Sequence, residues 1–302
     1  MSIAKAKAHP PGSRQRRTVT PRPIPPAVRY RRTLVSIADH AVLIAVSAMF
    51  LTPIVFVVLT ALMTDQQALT PTLWPEPVRW GNFPEVLRTI PLIRYTWNTT
   101  QIAVLSTFGL VISCIPVAYA LSRMRWRGQR AVFVIILATL MLPFQVTVVP
   151  LYVIFVRVGW IDTLRPLIIP SFFGDAFSIF LLRQFFLSIP EDLSDAARVD
   201  GGNEFQIMTR VIVPLAKPAI AAVALFNFLF VWNDFFGPLL YVGNNPHLWT
   251  LSLGLSEFRG VHQVQWNLTM AASVLFLLPV IVLFFLAQRA FVEGVTLTGT
   301  KG

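Results

Sequence analysis

Lys, Arg, Asp and Glu are distributed very unevenly along the chain. Residues 41–64, 97–122, 131–156 and 261–288 contain none of them, and each stretch exceeds the roughly 20 apolar residues a helix needs to cross a hydrocarbon core. Each therefore predicts a transmembrane helix. Two further apolar runs carry charge inside: 166–186 holds Asp175 near its middle and Arg183 near its end, and 218–241 holds Asp234 in its last third. With both included, the pattern predicts an all-α membrane protein with six transmembrane helices.

Composition agrees with that pattern. Of 302 residues 55% are hydrophobic and 13% charged, whereas a soluble domain carries about 25% charged residues. The formal charge is +11, but nine of the 25 cations lie between Lys5 and Arg32, where there is no acid and where prolines are frequent. Residues 1–33 are expected to be a disordered basic tail, and 34–302 the transmembrane domain. So local an excess fixes topology or touches membrane lipid, and does not point to nucleic acid. If the N-terminus is inside, the inner loops hold 19 Lys and Arg and the outer ones six; without the tail the ratio is still ten to six. The positive-inside rule then predicts that both termini are cytoplasmic, and the run from residue 41 is too long for a cleaved signal core.

Catalytic chemistry finds little support. Cys114 is the lone cysteine, and His9, His40, His247 and His262 have no metal-ligand spacing. There is no G-x-S-x-G elbow, and no glycine precedes a lysine, so the G-x-x-x-x-G-K-[ST] phosphate loop is absent. No catalytic residue, metal or cofactor is predicted.

The internal stretch 188–217 reads as two short amphipathic helices. Pro190 suits a first turn, Glu191 and Asp192 complement the helix dipole, and Gly201-Gly202 ends the first helix. Asn203 with Gln206 caps the second, and Pro214 stops it. Leu193, Ala196 and Ala197 share one predicted face, and Phe205, Met208 and Ile212 the other. Such a pair either docks on a partner or lies in the headgroups. Five acids against three cations over 191–217 are the wrong sign for anionic lipid.

Within this stretch, D-A-A-R-V-D-G (195–201), nine residues and V-I-V-P (211–214) resemble the "EAA" loop of the permease subunits of ATP-binding-cassette importers. Asp195 replaces the family's Glu, Val211 and Val213 replace Ile and Leu, and the spacing is intact. The resemblance runs from about Leu34 to the C-terminus. It includes AYALSRMRWRG (118–128), LPFQVTVVPLYVIFVRVGWIDT (142–163), FLLRQFFLSIPEDL (180–193), FVWNDF (230–235) and VEGVTLTGTKG (292–302). These are similar to the carbohydrate class, in particular the maltose-type second permease subunit. The resemblance implies the type I importer fold, a sister permease, two ATPase subunits and an extracytoplasmic binding protein delivering a sugar. It assigns ATPase coupling to Asp195, Ala196, Ala197, Asp200, Gly201, Val211, Val213 and Pro214, with the 294–302 tail also reaching the ATPase pair. Other solutes, such as glycerol phosphate, and an ion-coupled carrier are the alternatives.

Polar residues inside the spans suggest a translocation path, because they are costly unless they face a cavity or a partner helix. Asp175 lies about 14 Å into its span at 1.5 Å per residue, beside Gly174. Asn227 and Asp234 share a face, with Asn233 adjacent and the rings of Phe230 and Trp232 available to stack on a sugar. Interhelical hydrogen bonds are the alternative role for each.

Overall fold

The structure, a computed structural model, describes the backbone of residues 26–258 and 264–299 and the side chains of 35–258 and 264–285. The tail over 1–25, the start of the sixth expected span and the side chains of the 294–302 tail lie outside the described residues. Regular structure among the described residues is helical, without a strand. The chain divides into two compact units, 1–54 and 55–302.

In the first unit the backbone is helical from Pro26 as part of α1, Pro26–Ala61, so the expected disorder does not extend to residue 33. A proline is well placed at a helix start because its missing N–H would have no partner there. Once the long apolar segment is helical, adding turns through Arg29–Arg32 costs little. From Val35 to Ile54 every side chain is exposed. An apolar surface of that length is what lipid covers.

In the second unit α2 (Asn82–Thr89) precedes α3 (Leu92–Ser122), the central helix. One side of α3 is buried through Thr99, Ala103, Ser106, Leu110, Cys114, Ala118 and Leu121, the three-and-four spacing of a packed helix face. Small residues dominate it, which lets neighbouring backbones approach closely. Two further helices pack there: α6 (Ala176–Ser188) and α9 (Lys217–Trp232). One apolar cluster holds Leu110, Tyr119, Leu182, Phe186, Ile212 and Val223. The other holds Tyr95, Ala103, Trp232, Leu251, Ala271 and Phe276, the last two from α11 (Trp266–Gly299).

Three expected spans are interrupted, each at a residue with a physical reason to interrupt it. The third is α4 (Gln129–Thr139) and α5 (Phe144–Arg157), bent by 93°; Pro143 supplies no N–H and restricts the residue before it. The fourth runs through helical turns at Arg165–Ile168 and Ile169–Phe173, breaks at Gly174 (φ 74°), and resumes as α6 with Asp175 as its N-cap. The fifth ends at Trp232 rather than 241. A separate helix, α10 (Phe236–Val242), follows, because the Asp234 carboxylate accepts the Gly237 N–H at 3.1 Å and starts a new turn. Among the described residues, four helices are long and apolar enough to cross a membrane, or up to six if each bent pair is one span.

Tyr95, 2% exposed, packs its ring against Gly254, where an added Cβ would collide with ring carbons Cδ2 and Cε2. Gly254→Ala is expected to destabilise the detergent-purified protein by about 1–3 kcal/mol. Thermal unfolding measures it, with Gly81→Ala, which meets no atom within 4 Å, as the matched control.

Candidate functional site

The 188–217 stretch forms two helices joined by a tight glycine turn. The first, α7, is Glu191–Val199, with Glu191 and Asp192 in its first turn. Gly201, at φ +83°, carries the chain out of it, and the Gly202 N–H donates to the Ala197 carbonyl at 2.9 Å. A Cβ on Gly202 would meet that carbonyl at 2.8 Å. The second, α8, is Glu204–Leu215, opened by a reciprocal Asn203/Gln206 capping box and containing a π-helical stretch, Met208–Ile212. Pro214 sits in its last turn and does not stop it. The break comes at the buried Ala216, where α8 and α9 bend by 79°.

A chain of polar contacts ties this pair to the core. The Tyr119 hydroxyl at the end of α3 donates to Glu204 Oε2 at 2.5 Å, Arg198 Nε donates to Glu204 Oε1 at 2.9 Å, and the Arg198 guanidinium donates to Asp195 Oδ1 at 2.7 Å. Arg123, 8% exposed, donates to the backbone carbonyls of Phe186 and Ile189 at the end of α6. A polar hollow of about 420 Å³ lies among Arg123, Ser194, Asp195, Arg198 and Glu204. Hydrogen bonds from Arg198, then from Tyr119, hold the Glu204 carboxyl below its usual value, and Glu204 in turn holds Arg198 more firmly protonated.

The apolar faces differ from those expected. Ile207 and Ile212 are buried in the core cluster with Met208 and Ala197 packed against it, whereas Phe205 is 70% exposed, Val199 87% and Leu193 44%. Asp195, Ala196, Asp200, Gly201 and Pro214 are also exposed, and Val211 and Val213 are half-buried. The pair thus keeps one side against the bundle and presents Leu193, Val199 and Phe205 outward.

A cavity of about 450 Å³ opens among α3, α5, α9 and α10, within the 300–1,000 Å³ range of ligand pockets. Asn227 and Asp234 both line it. The Asn227 amide donates to Thr107 Oγ1 at 3.0 Å, and Asp234 Oδ1 accepts from Gly237. Asp175 and Asn233 are elsewhere. The Asp175 carboxylate accepts the Ser178 N–H at 2.9 Å as a helix cap, and Asn233 donates back to the Leu229 carbonyl at 2.7 Å. Phe230 lines the cavity, but Trp232 is buried against Phe228 and Phe276. Thr99, Phe144, Phe155 and Tyr241 also line it and are not predicted by the sequence pattern. Tyr241 and Phe155 form an edge-to-face pair at 5.3 Å, and the only signal for these residues is aromatic side chains within apolar runs.

The chain is a helical membrane bundle with an apolar cavity carrying a few polar groups and a helical loop anchored to its central helix. Residues 109–297 match the family described as "Binding-protein-dependent transport system inner membrane component". The chain belongs to this family of importer permeases. It is 31% identical over 210 residues to the arabinooligosaccharides transport system permease protein AraQ of Halalkalibacterium halodurans, covering 69% of this chain and 75% of that one. It is 32% identical over 279 residues to the sn-glycerol-3-phosphate transport system permease protein UgpE of Brucella abortus, covering 89% and 98%. Among solved structures, a chain of a bacterial ABC transporter involved in the import of the acidic polysaccharide alginate superposes with a TM-score of 0.73 at 25% identity, covering 86% of this chain and 97% of that one.

The Glu204 tether has a pH signature. Because the carboxyl is held below its usual 4.5, its contribution is complete above that value and is lost as pH falls through the lower folded-state value. Hydrogen exchange of 191–207, corrected for intrinsic rates, should accelerate only on acidification below about 4.5. Glu204→Gln should remove that pH step.

Proposed function

We propose that this chain is one permease half of an ATP-driven sugar importer. It pairs with a sister permease, receives solute from an extracytoplasmic binding protein, and couples through residues 188–217 to two ATPase subunits. The observation that carries the coupling role is the outward patch of Leu193, Val199 and Phe205 on a helix pair whose other side is fixed to α3 and α6. Exposed apolar side chains and carboxylates, including Asp195 and Asp200, on a helix pair backed by the core suit a docking surface. In this reading Ala196 and Gly201 allow close approach, Ala197 seats the helix against the bundle, Asp195 offers a carboxylate to a cation, and Val211, Val213 and Pro214 hold the second helix in position. Both termini and this loop are cytoplasmic, as the 19-to-six distribution of cations supports. Solute passes by Asn227 and Asp234. Asp175, proposed for the same path on sequence, serves as the helix cap where the fourth span breaks, and Asn233 turns back onto its own helix.

A second reading for the solute, glycerol phosphate, is favoured by the fuller coverage of the UgpE relative. The family description and the sugar-named AraQ relative leave the ATP-driven importer common to both readings.

Affinity purification of the tagged chain from its native membrane in mild detergent tests the coupling role. The wild type should bring down an ATPase subunit and a second permease. Gly201→Asp, which puts a charged side chain at φ +83°, should insert normally, keep the second permease and lose at least 90% of the ATPase. Normal solute uptake by that variant would overturn the assignment.

A further inference from the structure

We infer that the cavity around Asp234 is a binding site for an uncharged polyhydroxylated solute, with Asp234 the residue that excludes phosphorylated and carboxylated ones. The inference rests on the importer reading above and chooses between its two solute classes.

The first argument is charge. Among the described residues, the lining contains one ionisable acid, Asp234, and no Lys, Arg or His. An anionic solute entering such a cavity loses hydration and gains no counter-charge, while the Asp234 carboxylate repels it. Sites that hold phosphate supply Arg, Lys or a run of backbone N–H groups, and the lining offers no such cation.

Hydrogen-bond polarity is the second argument. Asn227 uses one amide N–H on Thr107, which leaves its carbonyl oxygen as an acceptor and its second N–H as a donor. Asp234 Oδ1 is engaged by Gly237, and Oδ2, the second acceptor, lies where a Gly237 Cβ would collide with it, so glycine at 237 keeps the carboxylate in this position. Both groups thus offer an acceptor, and Asp234 offers nothing else. A sugar or polyol offers hydroxyl donors to both acceptors and oxygens to the Asn227 N–H, whereas a phosphate group offers the Asp234 carboxylate only further acceptors.

The aromatic wall fits the same solute. Phe144 and Phe236 meet edge to face at 5.8 Å, and Tyr241 stands edge to face with Phe155. These rings line the cavity together with Phe230. Apolar faces interrupted by a few fixed polar groups are suited to a ring with an apolar face and a polar rim.

The test uses the importer purified from its native membrane with its own binding protein and reconstituted into liposomes. ATP-dependent accumulation is read for labelled arabinotriose, maltotriose, glycerol 3-phosphate and trigalacturonate. The expected result is accumulation of a neutral oligosaccharide and of neither anion. Asp234→Asn keeps an acceptor for the Gly237 N–H and is expected to preserve the yield of assembled importer. It should lower neutral-solute accumulation about ten-fold, the loss expected for a hydrogen bond to a charged group. Asp234→Lys should abolish neutral-solute transport. Accumulation of either anion by the wild type, or neutral-solute transport unchanged in Asp234→Asn, overturns the inference and leaves the importer reading intact. Uptake that ignores ATP overturns the importer reading itself, and the inference with it.

Discussion

Hydrocarbon offers no hydrogen-bond partner, so every polar group inside the membrane must find one within the protein. The hydroxyls of the long helices meet much of that demand locally. Thr99, Ser106, Ser113 and Ser122 on α3 each donate to a carbonyl four residues earlier, and Thr269 and Ser273 do likewise around α11. A hydroxyl closed in this way behaves as a small, nearly apolar residue, which lets the packed face of α3 be rich in Ser and Thr. The helix breaks obey the same demand. At Gly174–Asp175 the carboxylate caps the next helix, and at Asn233–Asp234 two side chains satisfy backbone groups on either side of the gap. Interruptions therefore fall where a side chain can stand in for the missing backbone partner.

This rule also governs what could be read from the amino-acid order. The existence of six apolar spans was legible because a soluble fold has little use for a charge-free run long enough to cross a bilayer. The coupling-type loop was legible on a different basis: proline, paired glycines and a capping Asn act over three or four residues, and the structure shows those local devices at work. What could not be read was which polar residue turns toward a neighbouring helix and which turns back on its own. Asp175, Asn227, Asn233 and Asp234 look alike in a hydropathy profile. Asp175 and Asn233 serve only their own helix ends, Asn227 reaches Thr107 on α3, and Asp234 both starts α10 and lines the cavity, a distinction made by tertiary packing alone. The buried face of the second loop helix differs from its predicted one on related grounds. A π-helical stretch changes the residues per turn, so a 3.6-residue wheel puts Phe205 inside when Ile207 is the residue that is buried.

The loop is joined to the bundle by contacts of two kinds. Ile207, Ile212 and Ala216 pack into the apolar cluster, which resists separation but not sliding. Arg198, Glu204 and Tyr119 add directional bonds that fix register. The Arg198 and Glu204 side chains are partly exposed, so their ion pair contributes orientation more than energy. Small interaction energies are sufficient for that purpose, because the apolar contacts already hold the two parts together.

The 79° bend at Ala216 turns the loop and α9 into the two arms of a bell crank. One arm, α8, leads back to the anchored helix pair and its outward patch. The other is 16 residues long, about 24 Å at 1.5 Å per residue; Asn227 lies along it and Asp234 just past its end. A rotation of the short arm through about 5° about the buried pivot would sweep the far end of the long arm through about 2 Å, comparable to the width of a hydrogen bond. An angular motion small at the loop would thus become a displacement large enough to make or break contacts inside the cavity.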